Sequence, residues 1–152
     1  MMLQTVNREI AEKVYIVVLN NQSAELAPGE VVEWDVHTTD SYQGYAVELV
    51  DEAINASSGI AGNKVAGVVD STIATDAVGV LQVYGAANVR ASASIDGGNM
   101  VVAGSINATN IGHVSSYAAS TDDGLGLIGA LVGWTLEAGP NATNATVMLS
   151  IL

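Results

Sequence analysis

The β-branched residues of this chain come in short runs, each closed by Gly, Asn, Asp or Ser, and that punctuation favours many short strands over helices. The first run, VYIVVLN, ends at Asn20-Asn21. After Pro28-Gly29 the run EVVEWDV sets Val32, Trp34 and Val36 in alternation with Glu33 and Asp35, the pattern of a strand with one wet face. In YAVELV, Tyr45, Val47 and Leu49 share a face. KVAGVVD, VGVLQVYG and NVRASASI follow at short spacing and predict a three-stranded meander. Asp96-Gly97-Gly98-Asn99 is a strong turn, and MVVAGSI, IGHVSSYAAS, GLIGALVGWTLEA and ATVMLSIL complete the set. The sum is about ten short strands, so the fold class is all-β, a single compact β-barrel or sandwich-like domain. Residues 51–62, DEAINASSGIAG, read as a loop. Residues 1–13 lack a period-2 pattern and read as an N-terminal arm or short helix before a domain of residues 14–152.

A length of 152 residues suits one domain. With two Trp, five Tyr and no Phe, its core must be built from small and β-branched side chains. Sixteen acidic residues stand against Arg8, Lys13, Lys64 and Arg90, giving a formal charge of −12 that argues against a nucleic-acid partner. The same balance fits a solvated acidic surface or a protein kept soluble at high salt. Cysteine is absent, which excludes disulfides and thiolate metal sites. The opening MMLQTVNREIAEK places charges before any apolar run, so no Sec-type export is expected. Leu125 to Trp134, the longest apolar stretch, is too short and too rich in Gly for a membrane helix, and no membrane partner is expected. A mean hydropathy of +0.37 then needs another cause, and burial in an assembly supplies one.

No constellation of reactive residues stands out. GLGLIG at residues 124–129 spells G-x-G-x-x-G, but Asp122-Asp123 precede it and would repel phosphate. Its glycines, with Gly133 beyond them, read as allowing close packing or a bulge in a sheet. His37 and His113 are far apart and form no H-x-x-x-H pattern. No G-x-S-x-G elbow is present, and Ser57-Ser58 and Ser115-Ser116 read as loop serines. Of the carboxylate pairs, Glu33/Asp35 marks the solvent side of its strand, while Asp51/Glu52 and Asp122/Asp123 lie in turns without a calcium-loop pattern. Triplets of the N-x-[ST] type start at Asn21, Asn55, Asn107, Asn141 and Asn144 and read as turn composition. The expectation is a protein that binds other subunits, with no catalytic residue, no cofactor and no metal.

Four stretches carry a resemblance: EKVYIVVLNNQSAELAPGEVVEWD, AGVVDSTIATDAVGVLQVYGAANVRAS, SIDGGNMVVAGS and GALVGWTLEAGPNATNATVMLSIL. Together they resemble the small head-decoration, or capsid cement, proteins of tailed viruses of bacteria and archaea. The resemblance implies a β-barrel-like domain, commonly a homotrimer, made in the host cytoplasm. It would bind the outer surface of the capsid where major capsid protein subunits meet and stabilise the head. On that reading the arm could add a strand to a capsid sheet edge, with Leu3, Thr5, Val6 and Ile10 as the capsid-binding candidates. The alternatives are a tail, spike or other virion β-module, or a carbohydrate-binding surface-layer β-domain.

Overall fold

The computed structural model describes residues 12–35, 44–50, 65–103, 112–116, 131–137 and 144–151. Among these residues there are nine strands and no helix, as the punctuated runs require. They are β1 (Val14–Asn20), β2 (Val31–Trp34), β3 (Ala46–Leu49), β4 (Val65–Val69), β5 (Val78–Arg90), β6 (Met100–Ala103), β7 (Val114–Ser116), β8 (Leu131–Thr135) and β9 (Asn144–Ser150). They form one sheet in the order β1-β3-β2-β4-β5-β9-β8-β6-β7, and a further pairing of β1 with β5 closes the first five into a barrel. Within that barrel only β1 and β3 run parallel, through Leu19 opposite Ala46 and Asn20 opposite Val47.

Strand β5 runs through two lobes of the molecule. Its first half pairs with β1 and β4, and its second half, from Tyr84 to Arg90, pairs with β9. Strands β9, β8, β6 and β7 continue from it, and a parallel bridge from Ala91 to Val114 brings β7 back to the end of β5. The sequence runs VGVLQVYG and NVRASASI are therefore one strand of 13 residues up to Arg90, and the three-stranded meander is corrected to the antiparallel pair β4 and β5. The connecting Ala86-Ala87 has no turn chemistry. Gly85, at φ +93°, bends the strand without ending it, and a side chain there would collide with the Glu12 carbonyl.

Two cores lie on either side of a shared wall. Val18, Leu26, Val32, Val47, Ala66 and Leu81 belong to the core inside the five-stranded barrel. Val31, Val65 and Val68 point the other way and pack with Val89, Val147 and Leu149 in the second lobe. A register shift opposite Val32 and Glu33 lets neighbouring residues of β4 serve both cores. Strand β4 is accordingly buried at every position, which is why KVAGVVD reads as a continuous apolar run. Strand β2 is covered on both sides too, and this corrects the expectation of a wet face: Glu33 and Asp35 are each only 8% exposed. Asp35 accepts a hydrogen bond from Asn21 Nδ2 at 2.7 Å.

Polar side chains fix the loops onto this frame. Asn20, fully buried, donates from Nδ2 to the carbonyls of Ala24 (2.9 Å), Ile73 (3.1 Å) and Ala74 (3.2 Å), tying the end of β1 to the β4–β5 turn. The turn expected at Asp96 to Asn99 is present, and Thr135 holds it: its hydroxyl donates to the Asp96 carbonyl at 2.6 Å and accepts from the Asn99 N–H at 3.0 Å.

The seam between the lobes carries an ion pair. Arg90 Nη1 meets Glu30 Oε1 at 2.7 Å, while Glu30 Oε2 accepts from the Ala27 N–H at 2.7 Å. Next to β7, Gly112 accepts from Val31 N–H (2.7 Å) and donates to the Val50 carbonyl (3.1 Å). His113 follows in this seam, and its Nδ1 is buried with no hydrogen-bond partner. Burial, and then the charge of Arg90, hold the His113 pKa below its usual 6.5, with Glu30 and the Ala91 backbone acting the other way.

Two outcomes follow. In β8 the residue Val132 is an extra one opposite β6, and at the adjacent Gly133 an added methyl group would run into the Met148 carbonyl oxygen. Gly133→Ala should lower stability by about 2 kcal/mol or more, read as a lower urea midpoint at unchanged slope. For His113, the folded state favours the neutral ring, so below pH 6.5 the unfolded chain binds the extra proton. Stability should fall as pH drops from about 7.5 to about 5.5, and His113→Asn should flatten that fall in urea melts at the two pH values.

Candidate binding surface

Registers in the second lobe place apolar side chains side by side on the outside of the sheet. Met100 on β6 stands opposite Trp134 on β8, Trp134 opposite Met148 on β9, and Met148 opposite Ala86 on β5. Directly opposed residues share a face, so these four make one row across four strands. Met100 is 38% exposed and Trp134 42%. On one side lies a row of Leu136, Thr146 and Asn88, where the Leu136 N–H donates to the Thr146 carbonyl at 2.8 Å and Thr146 opposes Asn88. On the other side Tyr84 opposes Ser150. None of these nine side chains is charged, in a chain of net charge −12. The next row, Asn144 opposite Arg90, brings the first charge, already paired with Glu30.

A second apolar area lies on the outside of the barrel. Val17 of β1 opposes Val80 of β5, and Leu19 opposes Val78. Val17 and Val78 are each 66% exposed, and Tyr15 and Tyr45 stand nearby in sequence and pairing, the Leu19 N–H donating to the Tyr45 carbonyl at 2.8 Å. Such surfaces on a single chain mark contact sites more often than isolated exposed side chains do. Neither area holds an arrangement of nucleophile, base and acid. Among the described residues no group of three or more His, Asp or Glu is placed to hold a metal ion.

Several residues singled out in the sequence lie outside the described residues: the arm candidates Leu3, Thr5, Val6 and Ile10, His37, Ser57-Ser58, the pairs Asp51/Glu52 and Asp122/Asp123, and the glycines of GLGLIG. Gly133 does show the close strand approach and neighbouring bulge expected of a strand glycine. Ser115 and Ser116 are corrected from loop to strand, opposite Val102 and Val101 in β7. His113 belongs to the seam between lobes. The Met100–Trp134–Met148 row was missed because its members come from three separate runs; only the pairing of strands brings them together. Its one sequence signal is the exposed parity of Thr146, Met148 and Ser150 in β9, alternating with buried Ala145, Val147 and Leu149.

No protein-family model and no curated protein matches this sequence. Among solved structures, the fold is similar to that of the N base of head fiber gp8.5 of bacteriophage phi29, with a TM-score of 0.56 at 13% sequence identity. The likeness covers 92% of this chain and 96% of that one, so what the two share is the architecture of essentially the whole domain.

Proposed function

We propose that this chain is a structural protein of a tailed virus, bound to the outer surface of the capsid where major capsid protein subunits meet, and that it stabilises the head. The observation that carries the reading is the fold likeness to a phage head fiber base over nearly the full length of both chains. The surface is consistent with it. Uncharged apolar areas on an otherwise acidic protein are suited to contact with other subunits, and their burial in an assembly accounts for the positive mean hydropathy.

The barrel area at Val17 and Val78 is the part of this surface nearest in sequence to residues 1–11, since β1 is entered directly from them. An arm that adds a strand to a capsid sheet and a barrel face that packs beside it would act together. Linked contacts of this kind raise the effective concentration of each other, so neither has to be strong.

Mixing the purified protein with heads that lack it should give co-sedimentation and raise the temperature at which the heads release their DNA. Heads that neither retain the protein nor gain heat resistance would contradict the proposal. Deleting residues 1–10 should lower occupancy on the heads, and unchanged occupancy would remove the arm as an anchor.

A further inference from the structure

Gly112 and His113 close the seam between the lobes from the β7 side. The Gly112 carbonyl accepts from the Val31 N–H at 2.7 Å, and the Gly112 N–H donates to the Val50 carbonyl at 3.1 Å. Beyond His113 the chain enters a strand of only three residues at the end of the sheet order, with β6 as its ladder partner. Arg90 of β5 and Glu30 at the entry to β2, 2.7 Å apart, are the charged groups that act on the His113 ring among the described residues. Val50, Ala103 and Val114, from the other elements packed there, add none.

A neutral imidazole fits this place better than a charged one. Both ring nitrogens of a protonated histidine are donors, and Nδ1 is buried with no hydrogen-bond partner. Burial and the guanidinium of Arg90 outweigh the pull of Glu30 and of the Ala91 backbone, which favour the charged form. In water the same ring gains a proton near pH 6.5. We propose that the Gly112–His113 segment is a latch that acid opens: the charged ring leaves the seam for water, the two backbone bonds of Gly112 break, and β7 keeps its pairing with β6.

The opening is local because little holds this segment. Two backbone hydrogen bonds tie Gly112 to β2 and to the end of β3, whereas Val114 stays anchored by Ala103 and by the Ser92 N–H, which donates to its carbonyl at 2.9 Å. Segments with few such bonds open with far less free energy than the cores. The five-stranded barrel takes no part, and neither does attachment to heads, so the latch can fail without affecting that reading.

Hydrogen exchange of the whole protein, followed residue by residue by nuclear magnetic resonance between pH 7.5 and pH 5.5, tests the latch. After correction for the intrinsic pH dependence of exchange, protection of the Val31 and Gly112 amides should fall severalfold. The limit is about tenfold, since one proton is bound on opening. Protection of the Leu26 and Ile73 amides, each bonded to the other's carbonyl at 2.9 Å in the barrel, should fall less. Ordinary carboxylates titrate at about pH 4, below this window. His113→Asn should remove the pH dependence at Val31 and Gly112, and His113→Gln carries the same test if that variant does not fold. Unchanged protection at Val31 and Gly112, an equal loss at Leu26 and Ile73, or a pH dependence that survives the substitution would each overturn the proposal.

Discussion

Strand β4 has no wet face, and the rest of the molecule follows from that. A five-residue strand buried on both sides needs two cores, one for Ala66 and Val69 and another for Val65 and Val68. Each valine side chain moved from water into a core contributes about 1.5–3 kcal/mol, so neither lobe can be removed without exposing half of the shared wall. The two lobes therefore behave as one cooperative unit. Their common strand β5 is thirteen residues long, about 44 Å if extended at about 3.4 Å per residue, too long to stay within one small barrel. Gly85 supplies the bend at which it passes from one to the other.

Much of this was legible from the chain alone. Runs bounded by Gly, Asn and Asp located all nine strands, with two of the runs falling in β5, and the turn at Asp96 to Asn99 was readable because its residues favour that backbone. What failed did so for one physical reason. Alternation of polar and apolar residues reports a wet face only where one side of the strand meets water, and β2 lies in the shared wall, so Glu33 and Asp35 are buried despite their parity. The same sharing concealed β5: a glycine in a run looks like a terminator until a second set of strands is there to receive the continuation. The exposed apolar row was the least legible part, because Met100, Trp134 and Met148 are neighbours only through pairing across strands distant in sequence.

The polar seam shows how such an apolar frame is oriented. Hydrophobic burial does not dictate how two lobes are rotated, whereas Arg90, held by Glu30 at 2.7 Å, and the paired Gly112 amide and carbonyl fix the segment before β7 against β2 and the end of β3. Arg90 is partly exposed, so the ion pair adds little stability of its own. Its effect is geometric, and burial, with the charge of Arg90, lowers the pKa of His113 beside it.

An electron cryomicroscopy map of the native virus particle tests the head-structural reading most directly. Density of this two-lobed β domain is expected on the outer face of the shell, repeated where capsid subunits meet. Particles whose copies of the chain lie only on the tail, or that contain none, would contradict it.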